Sequence, residues 1–151
     1  MRKSNIYSSG NRRKINPNWF TNQTSMKDIS STIQPKGHKI YHVYFKNGSK
    51  TKLHIHNGNQ ILIATSGKGI LEIFKKLQNK KANFGITKTE SIRLNPGDIV
   101  YIPKNTLHTH GSIGKATFSH IAINILPSKN AEYKTSWYES DFKKLATSLI
   151  S

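Results

Sequence analysis

The sequence predicts an all-β protein, a sandwich or barrel of short strands followed by one C-terminal helix. Three observations carry this expectation. Short runs rich in β-branched and aromatic residues recur from Lys39 to Ile125, separated by turn signals at Asn47-Gly48, Asn57-Gly58 and Ser66-Gly67-Lys68-Gly69. No helical periodicity interrupts that region. Only near the C-terminus do apolar residues fall at helical spacing, at Phe142, Leu145, Ala146 and Leu149.

In chain order, residues 1–16 read as a flexible basic arm, since Arg12, Arg13 and Lys14 follow a glycine. Residues 17–37, bounded by Pro17 and Pro35, read as an N-terminal strand or arm that pairs at a sheet edge. Strands are expected at Lys39–Lys46, Thr51–His56, Gln60–Ala64, Ile70–Phe74, Thr87–Leu94, Asp98–Ile102, Leu107–His110 and Ala116–Ile125. Together they make residues 38–127 one barrel domain. Residues 128–151 form an extension with a helix at about 140–150. Ser140 is its N-cap, and Glu139 and Asp141 lie where the helix dipole favours acids.

A chain of 151 residues is one domain, large enough to bury a core without staples. With no cysteine, disulfides, iron–sulfur clusters and thiolate zinc sites are excluded. No apolar stretch reaches membrane-spanning length and the Met-Arg-Lys-Ser-Asn start has no apolar run, so a soluble cytoplasmic protein is expected. The net charge is +17, against roughly 2–8 in magnitude for a small soluble domain. Such a field attracts anions, nucleic acid among them, but no zinc finger or RNA-recognition signature accompanies the scattered lysines, so sequence-specific binding is not expected.

The chemistry concentrates in two segments. His54 and His56 are one residue apart in a strand, so they share a face and are spaced to hold one metal ion, and Gln60 follows with an amide oxygen. The second segment carries His108 and His110 beyond Pro96-Gly97-Asp98 and Pro103. Three imidazoles and an amide oxygen suit manganese, iron, nickel or zinc in the divalent state. Carboxylates are scarce. Asp98 reads as turn chemistry, Glu90 as a surface residue, and Glu72 as either an inward base or a partner of surface lysines. Lys52 has the parity of His54 and His56, near the site or at an exposed strand end. His38 and His42 read as structural, and His120 as a core or pocket-lining residue. No phosphate loop, dinucleotide fingerprint or nucleophile elbow is present, and a two-carboxylate glycosidase mechanism is not expected.

These residues resemble the two motifs of the cupin superfamily. In the first, Gly48, His54, His56, position 60 and Gly67 fall at the family spacings, with Gln60 in place of glutamate. In the second, Gly97, Pro103 and His108 match, while Asn105 replaces a glycine and Ser112 an asparagine. The glutamine, with His108-Thr-His110-Gly and Phe118-Ser-His120, is similar to a subgroup of small single-domain cupins loosely labelled as carboxymuconolactone decarboxylase-related. The resemblance implies a double-stranded β-helix, a jelly-roll barrel, holding one divalent transition metal on His54, His56, Gln60 and His108. It also implies a homodimer, since such barrels pair edge strands between subunits.

The function this suggests is a metal-dependent enzyme on a small oxygenated anion, of dioxygenase, isomerase or decarboxylase type. His110 would carry protons, and His120, Lys52 and Glu72 would stand around the pocket. Two alternatives compete: a non-catalytic module sensing a small ligand or metal, and a basic accessory protein on nucleic acid.

Overall fold

The computed structural model describes residues 1–78, 80–148 and 150. The strands are β1 (Asn11–Arg12), β2 (Thr24–Asp28), β3 (His38–Phe45), β4 (Leu53–His56), β5 (Gln60–Gly67), β6 (Gly69–Lys76), β7 (Phe84–Leu94), β8 (Ile99–Ile102), β9 (Leu107–Ser112), β10 (Phe118–Ile125), β11 (Thr135–Ser140) and β12 (Leu145–Ser148). A 3-10 turn at Pro17–Trp19 and the one-turn helix α1 (Ser30–Ile33) complete them. One sheet runs β1-β2-β3-β10-β5-β8. The other runs β11-β12-β7-β6-β9-β4 and closes on itself, because β11 pairs with β4. This is an all-β jelly-roll barrel.

Strand alternation gives the second sheet two buried faces. One face packs against the first sheet in a core that includes Phe45, Leu62, Leu71, Leu94 and Phe118. The other face encloses a second core of Leu53, Phe74, Phe84, Ile86, Leu107, Tyr138 and Ala146. Successive residues of one strand therefore serve different cores, as Leu71 and Phe74 do on β6 either side of a register shift.

Two motif glycines have a steric reason. Gly48 and Gly67 have φ of 73° and 76°, in the left-handed region. A Cβ at Gly48 would overlap the Gly114 carbonyl, and one at Gly67 the Thr117 carbonyl. Both glycines let the turns beside β4 and β5 press against the segment leading into β10.

The expected C-terminal helix at about 140–150 is absent among the described residues; β11 and β12 form an antiparallel hairpin there instead. Phe142 has φ of 55°, which breaks a right-handed helix at its first turn. The Asp141 carboxylate accepts the backbone N–H groups of Lys143, Lys144 and Leu145, making a tight turn. Ser140 accepts from the Phe142 amide, so it caps this turn rather than a helix. Beyond it the burial period is two: Leu145 is 61% exposed and Ala146 fully buried in the second core. An unpaired edge on β7 takes β12, which outweighs a weak helical pattern. Leu149, the last residue of that pattern, lies outside the described residues.

Residues 1–16, expected as a flexible arm, are tied to the first sheet. The Lys27 ammonium donates to the Ile6 and Tyr7 carbonyls, β1 pairs with β2, and the Arg13 amide donates to the Met26 carbonyl. The sequence offers no periodicity in a two-residue strand to announce this.

The Asp141 turn yields a pH prediction. The Leu145, Lys143 and Lys144 amides lower this carboxyl to about 2, below the ~3.9 of an unfolded aspartate. The unfolded chain therefore binds the proton first as the solution acidifies. The stabilisation is complete above about pH 4 and is lost as pH falls toward about 2. Asp141→Ala should lower the midpoint of chemical denaturation at pH 7 and remove the part of the pH 2–4 dependence of stability that this group supplies.

Candidate metal centre

His54 and His56 stand on the face of β4 turned to the first sheet, while Leu53 of the same strand enters the second core. Antiparallel pairing sets His54 opposite His108 of β9, and their ring centroids are 4.1 Å apart. His110, two residues along β9, shares that face, 5.4 Å from the His54 ring. The ligand-capable nitrogens of His54, His108 and His110 all lie within 4.8 Å of one another, and all three residues are buried. Tetrahedral nitrogens bound to one ion at ~2.1 Å are about 3.4 Å apart, so the rings must close by up to about an ångström to share an ion. The His56 ring lies 4.8 Å from His54 and 5.3 Å from His108.

The tautomers follow from the hydrogen bonds. The Nδ1–H of His54 donates to the Lys52 carbonyl at 2.9 Å, and that of His108 to the Thr106 carbonyl at 2.8 Å. A carbonyl can only accept, so each ring presents a bare Nε2 to the interior. His56 Nδ1 is held by the Thr135 hydroxyl of β11 at 2.8 Å. Gln60 opens β5 on the opposite sheet, and its amide N–H donates to Asn124 Oδ1 on β10 at 2.8 Å. That bond turns the Gln60 Oε1 away from Asn124.

The consequence is a set of buried polar atoms left without a hydrogen bond. His56 Nε2, His108 Nε2 and Gln60 Oε1 are buried without a hydrogen-bond partner. An orphaned buried acceptor costs about 1–3 kcal/mol, so several together require a compensating positive centre. Protonation is a poor solution. Burial first, then the neighbouring histidines, holds His54 and His56 well below the usual imidazole range, and burial brings His108 down to about 4. Neutral imidazoles and an amide oxygen fit a divalent transition metal.

His110 and His120 form a second pair. His120 Nε2 and His110 Nδ1 are 3.0 Å apart, and burial, as the main cause, keeps both neutral, with His120 near 3. Both line a cavity of about 230 Å³ with His54, His56, Gln60 and Asn124. Lys52 and Glu72 are not among its walls. Lys52 pairs with Glu139 at 2.7 Å. Glu72 lies opposite Thr109, on the face of the second sheet turned away from the histidines, and binds Lys88 and Lys50 there. Sequence reasoning missed Thr135, Asn124 and the aromatic walls Trp19, Tyr133 and Trp137. Only the Trp19-Phe20 pair offered a signal, being apolar in an otherwise polar arm.

Residues 16–148 match the family profile described as Cupin. The chain is a cupin. This cupin is similar to a solved cupin-like protein from Thermotoga maritima MSB8, at 26% identity and a TM-score of 0.65 over 91% of this chain and 90% of that one. It shares its fold with a cupin-superfamily sugar phosphate isomerase from Silicibacter pomeroyi DSS-3 (15% identity, TM-score 0.63, 92% of this chain and 83% of that one). The fold is also that of the polyketide cyclase RemF from Streptomyces resistomycificus (10% identity, TM-score 0.61, 100% and 87%). A search of curated proteins gives no match. No helix among the described residues is long and apolar enough to cross a membrane.

The Thr135 hydroxyl orients His56 from a different strand, so its loss should act on an ion bound beside it. Thr135→Val, nearly isosteric, is expected to lower divalent-ion affinity about 10–100-fold, read by competition with a chromogenic chelator, while the far-UV circular dichroism stays unchanged.

Proposed function

We propose that this cupin is a metal-dependent enzyme acting on a small oxygenated anion. The ion would be held by the Nε2 atoms of His54, His56 and His108 and the Oε1 of Gln60. The observation that carries the reading is the orphaned trio of His56 Nε2, His108 Nε2 and Gln60 Oε1, of which His56 and Gln60 line one cavity and His108 packs against the His54 and His56 rings. His110 is the neighbouring imidazole of the geometric cluster, and its Nδ1 already has a partner in His120. The neutral donor set leaves the ion its full double charge, which favours a carboxylate or enolate ligand. When bound, the metal supplies Lewis acidity and an open coordination position.

The protein's own part is to position and to move protons. The His110–His120 bond allows a reversible exchange: as His110 Nε2 takes a proton from the cavity, its Nδ1 proton passes to His120 Nε2, and the same proton returns along the bond when His110 gives its proton back. Burial keeps both rings neutral at rest and makes them weak bases, so a proton taken from substrate is readily handed on. Phe45 packs against both rings. Isomerase, decarboxylase and dioxygenase chemistry each need such a proton carrier or a dry Lewis-acid site, and the fold does not choose among them.

Metal analysis tests the reading. Protein purified without a metal-affinity tag should carry about one equivalent of a transition metal, as one donor set implies. His54→Ala, His56→Ala and His108→Ala should each lose it, and His110→Ala should keep it but lose turnover on enol and hydroxy-acid panels. If His110→Ala loses the ion while His56→Ala keeps it, the His54–His108–His110 set is the binding set instead. Removing metal should lower Tm, since an ion at 100 times its Kd adds ~2.7 kcal/mol. A metal-free protein with an unchanged Tm on adding manganese, iron, nickel or zinc would refute the proposal.

A further inference from the structure

The walls of the cavity carry more information than its histidine floor. None of the seven acids of the chain lines it, and its one formally charged wall residue is Arg13. Arg13 is exposed at the rim, fixed by its backbone bond to Met26 and lying over the Tyr41 ring, with Cζ 4.7 Å from the centroid. Ion pairs among the described residues engage Lys50, Lys52 and Lys88, not Arg13. The nearby Asp28 is occupied by the Ser30 hydroxyl and the Ser31 amide.

Two further wall residues hold buried groups with no partner: the Trp19 indole N–H and the Tyr133 hydroxyl. Trp19 stacks on Trp137 at 5.1 Å with only 5° between the planes, and Trp137 stacks on His54 at 4.5 Å. Tyr133 lies against His56 at 4.9 Å. The space between rim and floor is thus edged by aromatic rings, with a cation at one end and hydrogen-bond donors along it. Its volume of about 230 Å³ suits a small monocyclic acid rather than a drug-sized ligand.

We propose that Arg13 recognises the carboxylate of a small aromatic carboxylic acid whose other end faces the histidines, with Trp19 Nε1 and Tyr133 Oη as donors along its length. The proposal rests on the cavity being the substrate site and names the class of substrate. A guanidinium fork matches a carboxylate in two parallel hydrogen bonds, and the aromatic lining supplies apolar edge-to-face contact for a ring. One guanidinium with no second cation on the walls suits a monoanion better than the dianion of a sugar phosphate.

Isothermal titration calorimetry tests this with 2-hydroxybenzoate, its neutral isostere 2-hydroxybenzamide and the puckered cyclohexanecarboxylate. The wild type should bind 2-hydroxybenzoate best, and Arg13→Gln should weaken it by at least about tenfold, as loss of a hydrogen bond to a charged group implies. Arg13→Lys should restore part of that loss, and benzamide binding should not respond to either change. Equal binding of acid and amide by the wild type, no binding of the acid, or an Arg13→Gln variant that binds the acid normally would each overturn the assignment. Metal content of the same samples separates the two proposals. Arg13-dependent binding without metal leaves this inference standing and refutes the metal-enzyme reading. Bound metal with Arg13-independent binding does the reverse.

Discussion

The pairing of β4 with β9 in one register is the constraint on which the site depends. It puts His54 opposite His108 and sends the intervening residues of both strands into a different core. A slip by one residue would place leucines among the orphaned lone pairs and imidazoles among the leucines. Because both faces of the sheet are buried, both faces resist that slip. Stability and chemistry are enforced by the same hydrogen-bonded pair.

The β11–β12 hairpin completes this logic. By closing the second sheet it gives Leu53 and Leu107 something to bury against, and so holds β4 and β9 from behind. From the front the same β11 delivers Thr135 to His56 and Trp137 to His54. A segment far along the chain therefore sets the orientation of one donor and the environment of another. The first sheet contributes the remaining donor, Gln60, and orients it through Asn124. Each proposed donor whose partner is seen is thus aimed by a group outside its own side chain, the arrangement that fixes metal ligands in general.

Much of this was legible in the sequence. Alternation and turn dipeptides located the strands from β3 to β10, because the β-turn glycines are sterically required and strand alternation follows from two-sided burial. The shared face of His54 and His56 was legible for the same reason, since strand geometry converts their spacing into one face, while Gln60 and His108 were legible only through the resemblance to the cupin motifs. What was not legible depended on long-range pairing. The helix expected near residue 140 had a valid apolar stripe, but a free edge on β7 and the left-handed Phe142 favoured a hairpin. Lys52 has the right parity, yet Glu139, far away in sequence, takes its charge. Glu72 lies on the face of β6 that Phe74 also occupies, and which face meets the histidines depends on the pairing of β6 with β9, which local pattern does not reveal.

The cavity is assembled from parts of unequal entanglement. Its histidine floor belongs to paired interior strands, where a substitution disturbs two cores at once. The rim at Arg13 hangs from a two-residue ladder and one stack of indoles. Changes at the rim are thus nearly free of folding consequences, while changes at the floor are not. Selection can accordingly retune which molecules enter this barrel without touching what the barrel does to them, and divergence among such proteins should accumulate first along the arm.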